Sequence, residues 1–245
     1  MKLYRDFTAQ EEIDQEYNVD ALVPDMGRYI EFLVGGSEKA RRDLECVLDV
    51  RFGPTLDETV DVFPAKQPGA PILVFIHGGY WRILSSKEFN LVARGLSAHG
   101  VTVVVSNYSL CPKVTIAEIT RQSRAVIAWL SHGAGTYNGD ANRIFVCDDS
   151  AGGQQVGMLM ATDWEAEYGL SNDIIKGGIP ISGVFDLEPL RYSGLQPKLL
   201  LTHEIILQQS PCLHMPRTAP PLFITLGEEE PAEFQRQSKD YLVAW

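Results

Sequence analysis

Arg143-Ile-Phe-Val-Cys-Asp-Asp-Ser-Ala-Gly-Gly153 is the stretch that decides the fold of this chain. Ile144, Phe145 and Val146 form a short β-branched and aromatic run, small and polar residues follow, and a helical pattern occupies residues 154–162. That order predicts strand, sharp turn, helix. Ser150 stands at the turn with Gly152 two positions later, which is the spacing of a G-x-S-x-G nucleophile elbow with Asp148 in the first glycine's place. Such an elbow holds its serine in strained backbone so that Oγ projects above a sheet, and small neighbours let helix and strand approach. An aspartate at the first glycine's position is expected to point its carboxylate outward.

Outward from the elbow, residues 72–76 (Ile-Leu-Val-Phe-Ile) and 101–105 are apolar on both faces, as strands buried inside a parallel sheet must be. Helical patterns over residues 87–99, closed by Gly100, and 116–130 separate them from each other and from the elbow strand. Beyond the elbow helix the sequence predicts a strand at 175–182, a leucine-rich loop region, a strand at 222–226 and a last helix ending at Trp245. Alternation of this kind predicts an α/β protein with a mainly parallel sheet and helices on both faces. Upstream, residues 46–52 and 59–63 alternate apolar and polar side chains, predicting a hairpin exposed on one face. Helix signals begin at Thr8 and again after Pro24, where Met26, Tyr29, Ile30 and Leu33 share a face, so residues 1–45 read as a helical extension, either a lid or collar or merely a packed N-terminal extension. Residues 1–245 are expected to form one domain.

The chain has 245 residues, 45% hydrophobic and 22% charged, with a formal net charge of −11. Phosphate backbones and anionic membrane surfaces are disfavoured partners at that charge. Cys46, Cys111, Cys147 and Cys212 show no CxxC pair and no spacing with histidine that suits a metal, so they read as reduced, mostly buried thiols. No cofactor or metal is expected. The N-terminus lacks the apolar core of a signal peptide and no run reaches membrane-spanning length, which points to a cytoplasmic protein.

His77-Gly78-Gly79 closes a central strand ahead of the elbow. The amides of Gly78 and Gly79, with that of Ala151 just after the serine, are the candidate donors of an oxyanion hole. Three carboxylates, Glu228, Glu229 and Glu230, crowd the turn after the strand at 222–226, where an acid partner belongs, and Asp186 is the alternative.

Several motifs together resemble one family. They are Phe7-Thr-Ala-Gln-Glu-Glu12 with Tyr17-Asn18, His77-Gly-Gly-Tyr-Trp81, residues 108–112, Ser150-Ala-Gly-Gly153, Ala161-Thr-Asp-Trp164, Ile181-Ser-Gly-Val-Phe-Asp-Leu-Glu-Pro-Leu190 and Glu233-Phe-Gln-Arg-Gln-Ser238. Across nearly its whole length the chain resembles the α/β-hydrolase family of bacterial arylformamidase (kynurenine formamidase)-like esterases. The resemblance implies Ser150 as nucleophile, Gly78, Gly79 and Ala151 as oxyanion hole, Glu230 as triad acid, and Tyr80 and Trp81 lining a substrate pocket. It implies an ester or N-formyl amide as substrate, attacked to give an acyl-enzyme; separately, the strand at 222–226 reads as an unpaired apolar sheet edge that invites self-association, with a homodimer as one option.

This sequence also departs from the family. Asp148-Asp149 replace a usual Gly-His before the serine, Gln154 replaces a histidine, and Ser109 and Cys111 replace an Arg and an Ala. Members carry the triad histidine on a loop after an eighth strand, whereas no histidine follows Glu230 here. The expectation is a chain without that strand and loop and with impaired turnover. The alternative is a non-catalytic or truncated α/β-hydrolase-like protein that binds a small ligand.

Overall fold

A computed structural model describes residues 2–19, 23–216 and 218–245. In chain order the elements are α1 (Gln10–Tyr17), α2 (Met26–Asp43), β1 (Val47–Arg51), β2 (Thr59–Phe63), β3 (Ala70–Ile76), α3 (Ala93–Ser97), β4 (Thr102–Ser106), α4 (Ile116–Gly133), β5 (Gly139–Asp148), α5 (Ala151–Ala161), α6 (Trp164–Tyr168), β6 (Ile175–Ile179), α7 (Gln196–Leu199), α8 (His203–Gln209) and α9 (Ala232–Ala244). The strands form one sheet in the order β1-β2-β4-β3-β5-β6. β1 and β2 run antiparallel, and β4, β3, β5 and β6 run parallel to one another.

Side chains along the central strands go alternately to two cores, and this is why those strands are apolar throughout. Ile72, Val74 and Ile76 of β3 join Val104, Ile144 and Val146 in a core with Ile116, Ile119, Val126, Ile127 and Leu130 of α4 and Val156 and Leu159 of α5. Leu73 and Phe75, with Val103, Val105 and Cys147, meet Ala40 of α2 and Ala93 of α3 on the opposite face. A strand sandwiched between helix layers has no solvent face on which to place polar residues. Burying each of these aliphatic side chains contributes about 1.5–3 kcal/mol.

Three sequence expectations need correction. β2 is not half-exposed: it lies between β1 and β4 with Val60, Asp61, Val62 and Phe63 all buried. The strand expected at 175–182 ends at Ile179, and residues 222–226 make isolated parallel bridges, Gly178 with Leu222 and Ile181 with Thr225, instead of a regular strand. Pro180 is the cause, because its carbonyl accepts from Thr225 N at 3.1 Å but it has no N–H to continue the ladder. The helix expected at 87–99 breaks into turns at Ser86–Glu88 and Asn90–Val92 before α3.

That break follows from a buried carboxylate. Asp61, on β2, is fully buried and accepts from Lys87 Nζ at 2.6 Å, Asn90 Nδ2 at 3.0 Å, Ser86 Oγ at 3.1 Å and Asp49 N at 3.0 Å. Residues that would have continued a helix bend inward to satisfy it, because an unpaired buried charge costs more than a few lost helical bonds. Burial alone would raise the Asp61 pKa, but the donors from Lys87, Asp49 and Asn90 hold it below the ordinary 3.8.

Its contribution to stability is therefore present above the unfolded-state value and is lost as pH falls through the lower folded one. Asp61→Ala should cost about 2–3 kcal/mol in urea unfolding at pH 7. The deficit should persist at pH 5 and shrink only below 3.8. A loss independent of pH down to strongly acid solution would mean that packing, not charge, is what Asp61 contributes.

Candidate active site

Register places the two glycine-bearing turns side by side. β3 and β5 are parallel neighbours with Ile76 opposite Asp148, so both strands end at the same height, one opening into His77-Gly78-Gly79 and the other into Asp149-Ser150. Ser150 has φ 58° and ψ −111°, outside the regions favoured by L-residues, and α5 begins immediately after it. Such a backbone costs about 1–3 kcal/mol and persists only where its surroundings enforce it. Gly152 shows the enforcement: a Cβ there would lie 2.3 Å from the carbonyl oxygen of Ile76 and 2.8 Å from Asp148 Cβ. Gly78 makes the same point from the other turn, since a Cβ on it would stand 3.2 Å from Ser150 Cβ.

Three amides at this junction, those of Gly78, Gly79 and Ala151, have no acceptor among the described residues. The carbonyls beside them are occupied. Tyr108 Oη donates to His77 O at 2.8 Å, His77 Nδ1 donates to Gly78 O at 2.7 Å, and Gly79 O accepts from Arg82 N and Ile83 N. With its carbonyls committed and Gly79 at φ 103°, the turn presents free N–H groups beside the serine.

His77 does not serve as a base here. It is fully buried, stacked at 4.1 Å and 6° on Tyr108, and burial pushes its pKa down to about 4. A carbonyl can only accept, so the contact to Gly78 O fixes the proton on Nδ1. Among the described residues no histidine makes a hydrogen bond to Ser150 or Glu230.

Glu230 is connected to the elbow through one short segment. Ser150 N donates to Ile181 O at 2.8 Å and Ile181 N donates to Asp148 Oδ1 at 3.0 Å. The next residue, Ser182, donates its hydroxyl to Glu230 Oε1, which also accepts from Gly227 N at 2.8 Å. Glu230 Oε2 is buried with no hydrogen-bond partner among the described residues. Asp186 is otherwise engaged: Oδ2 accepts from Tyr4 Oη at 2.6 Å and Oδ1 from Glu188 N at 3.0 Å. Glu228 and Glu229 are exposed.

Asp148 reverses the expectation of an outward carboxylate. It is fully buried beneath the first turn of α5, where a Cβ on Gly153 would come within 2.8 Å of its Oδ2. Burial, then the neighbouring charge of Asp149, raises its pKa well above 3.8, against the opposing effect of the Ile181 N–H. The carboxyl is thereby biased toward its neutral form, which is how the glycine position of the elbow tolerates it. Asp149 lies against the His77-Gly78-Gly79 turn, with Oδ2 3.0 Å from where a Gly78 Cβ would be. Its burial and then the charge of Glu230 push its pKa up to about 6.

The two aromatics of the turn divide. Trp81 is wholly buried and donates Nε1 to Gln154 Oε1 at 3.0 Å, while Gln154 Nε2 donates to Gln209 O at 2.8 Å. Gln154, which replaces the family's histidine, is thus the post on which Trp81 rests. Tyr80 donates its hydroxyl to Tyr17 O at 2.6 Å, tying α1 to the turn, and it borders a cavity of about 240 Å³. A larger cavity of about 750 Å³ lies at the other end of α5, lined by Met160 to Asp163, the loop 169–173 and Met215, and is remote from Ser150.

Sequence reasoning missed Ser182, the burial of Asp148 and the Tyr17–Tyr80 tether. Ser182 lies in the Ile181-Ser-Gly motif, and Tyr17 and Tyr80 lie in the Tyr17-Asn18 and His77-Gly-Gly-Tyr-Trp81 motifs, whereas the burial of Asp148 carried no local signal. Among the described residues no cluster suited to a metal occurs, and no helix is long and apolar enough to cross a membrane. All four cysteines are free, with Cys111 and Cys147 buried.

The BD-FAE family model matches residues 60–244. Kynurenine formamidase of Danio rerio is 28% identical over 253 residues, covering 96% of this chain and 83% of that protein. Kynurenine formamidase of Salmo salar is 30% identical over 227 residues, covering 88% and 74%. A solved structure of a candidate thioesterase from Silicibacter sp. tm1040 superposes with a TM-score of 0.85 at 26% identity, covering 96% of this chain and 87% of the other. An esterase of Pyrobaculum calidifontis, at 17% identity and a TM-score of 0.71, shares the fold.

Asp149 sets a testable pH dependence. Its folded pKa, about 6, lies above the ordinary 3.8, so its favourable contribution is complete below 3.8 and is lost as pH rises through 6. Asp149→Asn should therefore melt at a higher temperature than wild type at pH 8, with the difference closing toward pH 4 in scanning calorimetry. Equal melting temperatures at both pH values would place the carboxyl in free solvent.

Proposed function

We propose that this chain, which belongs to the BD-FAE family of kynurenine formamidase-like α/β-hydrolases, is a serine hydrolase that cleaves an ester or an N-formyl amide. The observation that carries this reading is Ser150 in left-handed backbone at φ 58°, packed against a turn whose amides are free, with Glu230 joined to the same elbow through Ile181 and Ser182. Ser150 Oγ attacks the carbonyl carbon as its proton passes to a base. The oxygen of the tetrahedral intermediate gathers negative charge and accepts from the amides of Gly78, Gly79 and Ala151. Collapse expels the alcohol or amine, which takes the proton, and water then attacks the acyl-serine by the same steps in reverse. Tyr80 borders the substrate and Trp81 supports the turn from the core.

Glu230 acts through another group. Its unpartnered Oε2 is the atom that would accept from an imidazole and orient it toward Ser150. Asp149 works against the reaction above pH 6, because its carboxylate borders the turn where the oxyanion forms. The localisation that fits such an activity on small molecules is the cytoplasm.

No described histidine touches Ser150, so the 245-residue chain is expected to hydrolyse 4-nitrophenyl acetate and formanilide slowly, about 10³–10⁴-fold over water. Ser150→Ala should abolish that residue of activity, and added imidazole should raise the wild-type rate saturably while leaving the variant inert. A fast rate, unaffected by imidazole and lost in Ser150→Ala, would show that a base is already in place. No serine-dependent turnover under either condition would favour a protein that binds a ligand without cleaving it.

A further inference from the structure

Ser182 has a backbone that suits glycine better than serine. Its φ is 55°, in the left-handed region, although Gly183 stands next to it and does not adopt that conformation. Gly183 is small for another reason: a Cβ on it would lie 2.6 Å from Phe185 Cζ, and a Cβ on Gly153 of α5 would lie 2.5 Å from Gly183 Cα. Glycine at position 182 would take the same φ at no steric cost, so the serine is explained by its side chain and not by its backbone. That side chain donates its hydroxyl to Glu230 Oε1.

The base of this side chain is fixed with respect to the elbow. Ser182 N donates to Thr225 O at 2.8 Å, and the preceding residue, Ile181, is bonded to both Ser150 and Asp148. Glu230 has no such anchorage of its own. Its other donor, Gly227 N at 2.8 Å, belongs to the same turn, where Glu230 N in turn donates to Gly227 O at 3.3 Å, so that bond moves with the acid. Ser182 is thus the side chain that ties the Glu230 carboxylate to the segment holding the nucleophile. The tie also acts against a repulsion, because the charge of Glu230 is felt at Asp149 and helps to push the pKa there up to about 6. A carboxylate released from Ser182 would turn away from Asp149.

We infer that Ser182 is a positioning residue for the reaction, whose hydroxyl holds Glu230 Oε1 so that Oε2 is kept as the oxygen that receives the base. This rests on the hydrolase reading and adds to it a group that touches neither substrate nor base. An acid that orients an imidazole works only from a defined place, and a donor on its far oxygen fixes that place while favouring the ionised form.

The test is a double-mutant cycle. With imidazole saturating, the Ser150-dependent kcat/KM for 4-nitrophenyl acetate is measured for Ser182→Ala and Ser182→Gly, each in the otherwise unchanged chain and together with Glu230→Ala. Each Ser182 change should lower it about 10- to 100-fold when Glu230 is present, as loss of a hydrogen bond to a charged group does, and should have no effect once Glu230 is removed. Ser182→Gly separates hydroxyl from backbone, since glycine fits a φ of 55° and should melt no lower than Ser182→Ala. Recovery of activity in Ser182→Gly, or equal losses with and without Glu230, would reduce Ser182 to a structural role and overturn the assignment. Crystallography gives a readout independent of turnover: the Glu230 carboxylate should leave its place in Ser182→Gly, and an unmoved carboxylate would also overturn it. A displaced carboxylate in a protein without Ser150-dependent turnover would retain the hold of Ser182 on Glu230 and reject the hydrolase reading. Turnover indifferent to Ser182 would do the reverse, so the two fail separately.

Discussion

Two hydrogen bonds across a single residue hold the centre of this molecule together. Ile181 takes the amide of Ser150 on its carbonyl and gives its own amide to the Asp148 carboxyl, so the residues on either side of Asp149 are clamped to one residue of the neighbouring segment. The strained backbone of Ser150 has somewhere to lean because of this clasp. The same segment continues into Ser182, whose hydroxyl holds Glu230, and into the bridge with Thr225. Ser150, Glu230 and the sheet edge are therefore positioned by one run of backbone, and the register of β3 against β5 brings the amides of Gly78 and Gly79 to meet them.

The fold was legible because its central strands face helices on both sides, and uninterrupted apolar runs are the direct trace of that burial. The elbow and the His-Gly-Gly turn were legible for a related reason: close backbone approach excludes side chains, so glycine marks the spot. Failures came where a polar group decided the structure from a distance. Nothing local in residues 87–99 shows that Asp61, 26 residues before Lys87, will draw that segment out of helical geometry. Asp148 misled for a similar reason, since a charged residue in isolation belongs outside, and only the assembled turn shows it buried beneath α5 with its pKa raised by that burial.

Acidic groups around the elbow differ sharply in state despite being adjacent. Asp148 is sealed, with its pKa pushed up by burial, Asp149 is poised near the middle of the pH range, and Glu230 has one oxygen bonded and one without a partner among the described residues. Neighbouring carboxyls separate in this way when burial differs and like charges meet, because each ionisation raises the cost of the next.

The hydrogen bond from Tyr80 to the carbonyl of Tyr17 has a thermodynamic corollary. It joins α1 to the oxyanion turn, and the cavity it borders draws its walls from three parts of the chain, residues 14–19, 80–82 and 194–195. A molecule filling that space cross-links segments that would otherwise separate on fraying of the N-terminal helix. Its free energy of binding is thereby shared with local folding, and occupancy suppresses the opening of α1 by RT ln(1 + [L]/Kd). The N-terminal helix thus reports on the active turn: amide hydrogens in residues 10–17 exchange with solvent at a rate set by whatever occupies the cavity.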